Sequence, residues 1–187
     1  PIKQEYKNIL YNVLIPLHKS NSRKLHKFHE TLLACCIQFI LKDLSIGLDI
    51  LTGLIKYWPF QSAAKSDMFL KEVVIIVNTM MTDIDTAQQQ IEDNDDNDND
   101  DEDELQRKKR EKNLFLSTKR GQYLAKEIIN KLVECMISDN HCLSEKALLA
   151  FGEVGVQKLI DLNKKSVWTQ VLNILFDNRD NKRHWCK

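Results

Sequence analysis

Apolar residues recur at spacings of three and four along most of the chain, which is the period of an amphipathic α-helix. The first two stripes consist of Tyr6, Leu10, Val13 and Leu17, and of Leu25, Phe28, Leu32, Cys36 and Phe39. The second helix also has apolar residues on another face, namely Leu33, Ile37, Ile40 and Leu41. A helix with two apolar faces packs against neighbours on two sides. We therefore expect this helix in the inner layer of a stack.

Two further helices are predicted before residue 82. Ser45 is placed to cap the first, Pro59 ends it, and its apolar face comprises Leu51, Leu54, Ile55 and Trp58. Ser66 or Asp67 is placed to cap the second, whose inward face comprises Phe69, Val73, Ile76, Val77 and Met80. The β-branched run at residues 73–77 is also compatible with a strand. The capping signal and the helical neighbours favour a helix.

The helical pattern is interrupted at residues 83–118, which are rich first in Gln, then in Asp and Asn, then in Lys and Arg. Such a composition buries too little apolar surface to offset the entropy of ordering, so we predict a disordered insert. The pattern resumes in residues 119–187, with a break at residues 138–140. Its apolar positions include Leu124, Ile128, Leu132, Met136, Leu143, Ala147, Leu148, Phe151, Val154, Trp168, Val171, Leu172 and Leu175. Residues 180–187 are predicted to begin another helix.

These elements predict an all-α fold. Only 5 Gly and 3 Pro are present, which is too little turn material for a strand-rich protein. Helices of similar length joined by short breaks indicate a HEAT-like helical-repeat solenoid, with helix pairs in residues 1–82 and 119–187 on either side of the insert. An ordinary helical bundle has the same periodicity and remains the alternative. Because the chain starts with Pro1 and ends inside a helical pattern, we expect it to be part of a longer protein.

The net charge of zero hides a division of charge along the chain. Residues 92–104 contain ten of the 27 acidic residues and no basic one, so the remainder is basic by ten charges. We expect the acidic tract to compete with acidic partners for the basic helical surface. The basic run at residues 107–110 is compatible with a nuclear-localisation signal, but a solvated counter-charge to the acids is the favoured interpretation.

No motif for catalysis is present: the chain lacks phosphate-binding glycine loops, H-E-x-x-H and G-x-S-x-G. His26 and His29 form a helical pair, but no neighbouring residue completes a metal site, and a surface or packing role is favoured. Asp and Asn residues at alternate positions from Asp93, followed by Glu104, imitate a calcium loop, yet Asp98 occupies the glycine position. We predict no enzyme activity, no cofactor and no metal. The odd number of cysteines, mostly in apolar helical patterns, indicates reduced and buried thiols.

Several short stretches together resemble the B-prime regulatory subunits of protein phosphatase 2A. In the family's order they are residues 16–19 (PLHK), the pattern C-x-x-Q-F-x-x-K-D from Cys35 to Asp43, residues 54–59 (LIKYWP), Lys65 with residues 68–70 (MFL) and Glu72, the stretch His141, Glu145, Ala147 and Leu148, and residues 184–187 (HWCK). The acidic insert and the residues after Leu148 depart from the family pattern. The matched part corresponds to the C-terminal portion of such a subunit.

This resemblance implies a regulatory subunit that directs a Ser/Thr phosphatase to its substrates and binds the scaffold and catalytic subunits. It further implies partners that are proteins rather than nucleic acid or membrane, and a cytoplasmic location, with the nucleus as a second compartment. The residues predicted to contact partners are His18, Lys19, Lys65, Ser66, Asp67, Asn140 and His141. The residues predicted to form the core are Phe39, Leu54, Tyr57, Trp58, Phe69, Leu148 and Trp168. A helical-repeat scaffold or transport adaptor that acts through the acidic insert is the alternative.

Overall fold

The computed structural model describes residues 2–59, 61–92, 118–162, 169 and 172–173; the side chains of residues 82–92 and 162 are not described. Within these residues the chain forms helices and no strand, as the sequence predicted. The elements are α1 (Gln4–Ile9), a π-helical turn (Leu10–Leu14), α2 (Ile15–Leu17), α3 (Ser22–Lys42), α4 (Ser45–Lys56), α5 (Ala63–Glu92), α6 (Lys119–Met136), α7 (His141–Ala150) and α8 (Val154–Leu162). None of the described helices is both long and apolar enough to span a bilayer.

Side chains at the helix starts accept the backbone N–H groups that have no partner within the helix. Asn140 accepts from the Leu143 amide at the break that the sequence predicted. Two other predicted caps were wrong. At α4 the carboxylate of Asp43 accepts from the Ser45 amide, at 3.1 Å. Helix α5 starts earlier than predicted, at Ala63, so Ser62 lies at its start and Ser66 lies inside it.

Helix α5 is the central element, because it contacts α3 and α4 on one side and α6, α7 and α8 on the other. Its buried residues are Met68, Phe69, Leu70, Val73, Ile76, Val77, Met80 and Met81. The prediction of a helix for the β-branched run is confirmed. The helix also continues to Glu92, so residues 83–92 are helical and the start predicted for the disordered insert was wrong. Residues 93–117 lie outside the described part of the chain.

Most of the predicted core residues are buried, some completely and some in part. Leu54, Trp58 and Phe69 are almost completely buried. Phe39 and Tyr57 are only partly buried and pack against the edge of the core. Leu148 was assigned wrongly, since it is 38% exposed. The short helix α7 places Leu143, Ala147 and Ala150 inward instead, and Trp168 lies outside the described residues.

The N-terminal stripe also differs from the prediction. Leu10 is buried, but Tyr6 and Val13 are 53% and 48% exposed. The π-helical turn at Leu10–Leu14 has an i→i+5 hydrogen-bond pattern, which changes the helical register from Leu10 onward and accounts for the exposure of Val13. Tyr6 precedes this turn, in a helix with no buried residue. The cysteines differ as well: Cys36 and Cys135 are buried, whereas Cys35 and Cys142 are exposed. The prediction of buried thiols is therefore wrong for Cys35 and Cys142, and Cys186 lies outside the described residues.

A polar cluster joins the π-helical turn to α4 and α6. The Tyr11 hydroxyl donates to Asp49 Oδ2 at 2.5 Å, and Arg120 Nη2 donates to Asp49 Oδ1 at 2.6 Å and to the Thr52 hydroxyl at 3.2 Å. Burial, followed by the hydrogen bond to Asp49, raises the pKa of Tyr11 to about 12. The cluster connects the helices on both sides of the insert.

The start of α8 rests directly on the backbone of α5. Asn78 Oδ1 accepts from the Gly155 amide at 2.9 Å, and Asn78 Nδ2 donates to Glu153 Oε2 at 2.8 Å. A Cβ atom at Gly155 would lie 2.7 Å from Asn78 Cα and 3.0 Å from its backbone nitrogen. These are main-chain atoms of a packed helix, so they cannot move aside as a flexible side chain can. The absence of a side chain at Gly155 is therefore required for the α5–α8 contact.

We expect Gly155→Ala to lower the free energy of unfolding by about 1–3 kcal/mol, because overpacking forces the two helices apart. Gln157→Ala, on an exposed position of the same helix, is the matched control and should have little effect. Urea denaturation followed by circular dichroism measures both. Equal stability of the two variants would contradict the close packing.

Candidate functional site

The most unusual side chain in the described core is the carboxylate of Glu72, which is 0% exposed. It lies on the inward face of α5 between Phe69 and Ile76, three and four residues away. Each carboxylate oxygen has its own histidine partner: His18 Nε2 is 3.0 Å from Oε1, and His29 Nε2 is 3.0 Å from Oε2. We call Glu72, His18 and His29 the buried triad.

Local structure accounts for the position of each histidine. His18 directly follows α2, in the turn before α3, and its Nδ1 lies 3.0 Å from the carbonyl oxygen of Ile15. His29 lies on the face of α3 that also buries Leu25, Leu32 and Cys36. The triad therefore joins the end of α2, the middle of α3 and the middle of α5 at one point in the core.

The hydrogen bonds define the protonation of the triad. Burial raises the pKa of Glu72, but the hydrogen bonds from His18 and His29 outweigh it, and the net shift is downward. Burial likewise lowers the pKa of His18, but its hydrogen bond to Glu72 and the charge of that carboxylate outweigh it, and the net shift is upward. A carboxylate and a carbonyl only accept, so both ring nitrogens of His18 carry protons. His18 is thus an imidazolium paired with the Glu72 carboxylate.

The Cys36 thiol lies beside the triad, and together with His18 and Glu72 it forms a group of side chains of the kinds that bind metal ions. His18, Cys36 and Glu72 have ligand atoms within 4.8 Å of one another, and they are the described residues that could hold a metal ion. Ligation would require His18 to lose a proton and Cys36 to become a thiolate. Burial, with a smaller contribution from Glu72, strongly raises the pKa of the Cys36 thiol. Both Glu72 oxygens are already paired with histidines, so the hydrogen bonds give the triad a structural role.

Two aromatic rings extend the triad toward the surface. The His18 ring meets Phe69 edge to face, with 5.9 Å between centroids, and Phe69 meets Trp58 in the same manner at 5.9 Å. The Ser66 hydroxyl donates to the carbonyl oxygen of Pro59 at 2.8 Å, which ties the turn after α4 to α5. The turn after α2 and the turn after α4 are thus held side by side.

The structure separates the predicted contact residues into two groups. His18 and Ser66 are buried, with 1% and 6% exposure, so their assignment to a contact surface was wrong. Their polar atoms bond within the core rather than to a partner. The others reach the surface: Lys19, Asn140 and His141 are exposed, and Lys65 and Asp67 are partly exposed.

Asp67 and Asn140 already have roles inside the fold. Lys146 Nζ lies 2.7 Å from Asp67 Oδ1, which links α7 to α5, and Asn140 caps α7. Lys19 and Lys65 instead lie beside aromatic rings. Lys19 Nζ is 4.7 Å from the centroid of Tyr57, and Lys65 Nζ is 5.4 Å from that of Phe69.

Sequence reasoning did not identify the triad. Glu72 entered only as a residue matching the family pattern, and the His26–His29 pair was examined for ligands close in sequence. One signal was available: Glu72 is a charged residue inside an otherwise apolar helical stripe, and such a residue needs a partner when buried. The identity of the partners depends on residues 43 and 54 positions away. Periodicity contains no information on such pairs.

A stack of helices whose buried polar groups hold the elements together is the architecture of a helical-repeat interaction protein. Residues 1–92 match the family described as protein phosphatase 2A regulatory B subunit (B56 family). Residues 1–92, about half of the chain, are therefore similar to the protein phosphatase 2A regulatory subunits of this family. The resemblance seen in the sequence is confirmed.

Similarity to individual relatives extends beyond residue 92. The chain is 26% identical over 185 residues, 99% of its length, to the B′ kappa isoform of the 57 kDa regulatory subunit from Oryza sativa subsp. japonica, covering 28% of that protein. It is 27% identical over the same share to the beta isoform of the 56 kDa regulatory subunit from Oryctolagus cuniculus, covering 29% of that protein. Over 86 residues, 46% of the chain, it is 41% identical to the B′ delta isoform of the 55 kDa regulatory subunit from Arabidopsis thaliana, covering 18% of it.

The chain thus spans less than a third of the length of these relatives. All three are named as regulatory subunits and not as catalytic ones, in agreement with the non-catalytic role predicted from the sequence.

We expect Glu72→Gln to lower the free energy of unfolding by about 3–5 kcal/mol, because it leaves the buried His18 charge without its counter-ion. The substitution preserves volume, so the effect reports charge rather than a cavity. Glu30→Gln is the control: Glu30 forms an exposed ion pair with Lys71 at 3.5 Å, and its loss should matter little. Urea titrations that cannot distinguish the two variants would contradict a structural role for the triad.

The triad also predicts how stability depends on pH. The raised pKa of His18 contributes stability that is complete below 6.5 and is lost as pH rises through the folded value. The lowered pKa of Glu72 contributes stability that is complete above 4.5 and is lost as pH falls through its folded value. The triad therefore stabilises the fold most between these two values.

We expect the free energy of unfolding of the wild type to decrease from about pH 6 to about pH 9, and that of Glu72→Gln to decrease less. Urea titrations at both pH values measure the difference. Parallel pH profiles for the two proteins would show that the triad does not titrate as described.

Proposed function

We propose that this chain is part of a regulatory subunit of a protein phosphatase 2A-type Ser/Thr phosphatase and that it binds the scaffold and catalytic subunits. The observation that carries the proposal is similarity along 99% of the chain to proteins named as such regulatory subunits. The fold supports it, because stacked helices bury one face against each other and leave the turns between helices available for partners.

The arrangement of three inter-helix turns supports one surface for such partners. The turn at residues 18–20 and the segment at residues 57–59 lie side by side through the contacts of His18, Phe69 and Trp58. The loop at residues 138–140 lies at the start of α7, which Lys146 and Asp67 link to the start of α5. We propose that these three turns contact the phosphatase, together with the exposed residues Lys19 and His141 and the partly exposed Lys65.

The mechanism follows from binding and not from chemistry in this chain. A rigid helical stack attached to the phosphatase presents a fixed surface beside the catalytic subunit, which raises the local concentration of a bound substrate. The buried triad contributes by holding the turns at residues 18–20 and 57–59 in one arrangement. Binding then does not incur the entropic cost of ordering them.

The test is association of the purified chain with a complex of scaffold and catalytic subunits, measured by co-purification and by biolayer interferometry. We expect the wild type to bind and the Lys19→Glu/Lys65→Glu variant to bind at least about tenfold more weakly, since buried or rim charges opposite acidic groups contribute about 1–2 kcal/mol together. Lys42→Glu, at the opposite end of the 21-residue α3, is the control.

Two outcomes would contradict the proposal. One is no association of the wild type, although circular dichroism shows it to be folded. The other is equal association of the wild type and the double variant, which would reject the proposed surface. A variant with a short Gly/Ser linker in place of residues 93–117 addresses the adaptor alternative: retained phosphatase binding favours the regulatory role, and loss of all partner binding favours the adaptor.

A further inference from the structure

Three lysines surround the aromatic residues that lie above the buried triad. Lys19 Nζ and Lys56 Nζ lie 4.7 Å and 5.8 Å from the centroid of the same ring, that of Tyr57. Lys65 Nζ lies 5.4 Å from the centroid of Phe69, whose ring contacts both His18 and Trp58. We call Lys19, Lys56, Tyr57 and Lys65 the lysine–aromatic edge.

The charges of this edge are not neutralised within the described residues. Other lysines there pair with acids: Lys7 with Asp43, Lys71 with Glu30 and Lys146 with Asp67. Lys19, Lys56 and Lys65 form no ion pair with a described residue, and ring contacts are their recorded interactions. Aromatic faces attract ammonium groups but do not cancel their charge. Like charges near one ring repel each other, so an anion placed between them is favoured.

The nearest buried carboxylate does not supply that anion. Glu72 is fully buried and already accepts from His18 and His29, so its charge is offset within the triad. Lys65 is affected by partial burial, which lowers its pKa. An anion bound beside Lys65 would offset this cost of desolvation. The edge therefore has an excess of positive charge, and an anionic partner would stabilise the charged form of Lys65.

The small size of the edge favours one kind of anionic partner over others. Duplex nucleic acid and anionic membranes present extended rows of charge and are bound by longer basic surfaces. The edge consists of three lysines at two short turns. Alternate side chains of an extended peptide face the same side about 7 Å apart, a spacing that two ammonium groups on one ring can match. Tyr57 lies close to both ammonium groups, with its ring centroid 4.7 Å and 5.8 Å away, and offers an apolar surface beside them.

We propose that the lysine–aromatic edge binds a short acidic protein segment in extended conformation, with acidic side chains at alternate positions paired to Lys19 and Lys56 and a further one near Lys65. The proposal deepens the proposed function, and rests on it for the expectation that the partner is a protein. It assigns the chemistry of the partner and adds Lys56 and Tyr57, which the sequence did not single out for contact.

The test is a fluorescence-anisotropy titration of the whole chain with a labelled peptide that carries Glu at alternate positions, beside a peptide with Gln at the same positions. A second series uses the variant with a Gly/Ser linker in place of residues 93–117, so that the acids of that tract do not compete. We expect the Glu peptide to bind and the Gln peptide to bind at least about tenfold more weakly. We also expect affinity to fall as salt is raised.

The variants locate the site. Lys19→Glu/Lys56→Glu should weaken binding of the Glu peptide about tenfold or more, Lys19→Arg/Lys56→Arg should retain it within about threefold, and Lys42→Glu should leave it unchanged. Tyr57→Leu keeps an apolar side chain but removes the ring face, and should weaken binding by a smaller factor. Circular dichroism and urea titration confirm that each variant is folded.

Three results would overturn the proposal: equal binding of the Glu and Gln peptides in both series, equal effects of Lys19→Glu/Lys56→Glu and Lys42→Glu, or full displacement of the peptide by inorganic phosphate at equal charge concentration. The last would indicate a simple anion site with no requirement for a peptide. Because the titration contains no phosphatase, its outcome is independent of the association experiment. If the chain binds the peptide but not the phosphatase, the proposal for the lysine–aromatic edge stands and the proposed function is contradicted.

Discussion

The described core is organised around one interaction, the pairing of the Glu72 carboxylate with two imidazole rings. A carboxylate with no exposure to solvent is costly unless each of its oxygens accepts a hydrogen bond. His18 and His29 supply these bonds from different elements, both at 3.0 Å. The position of α5 relative to α3 and to the end of α2 is therefore restricted to arrangements that keep both contacts. Apolar packing alone would tolerate small shifts along the helix axes; the triad does not.

This restriction reaches the surface through the rings of Phe69 and Trp58. His18 packs on Phe69, and Phe69 packs on Trp58, so the turns after α2 and after α4 lie together. Lys19 and Lys56 both lie near Tyr57 as a result. A charge pair in the core and a cluster of like charges at the surface are thus parts of the same arrangement. The first offsets its charges internally, whereas the second leaves them available to a partner.

Much of the fold could be predicted from the sequence, because helix periodicity depends on residues close together in the chain. The helical state of residues 73–77 and the burial of Leu54, Trp58 and Phe69 follow from such local patterns. The failures have local physical causes as well. The π-helical turn shifted the first stripe from Leu10 onward and exposed Val13. Leu148 was placed inward by its spacing, but α7 is short and buries Ala147 beside it. His18 was read as a surface residue because it lies in a turn.

By itself, the sequence determined the helical class and the resemblance to phosphatase regulatory subunits. These depend on composition, on local periodicity and on short ordered motifs. The tertiary structure alone decided that His18 and Ser66 are buried, that Glu72 has two histidine partners, and that Lys19 and Lys56 share a ring. These contacts join residues 38 to 54 positions apart or depend on how neighbouring turns pack. Their geometry arises when helices pack, and a linear pattern of polar and apolar residues does not contain it.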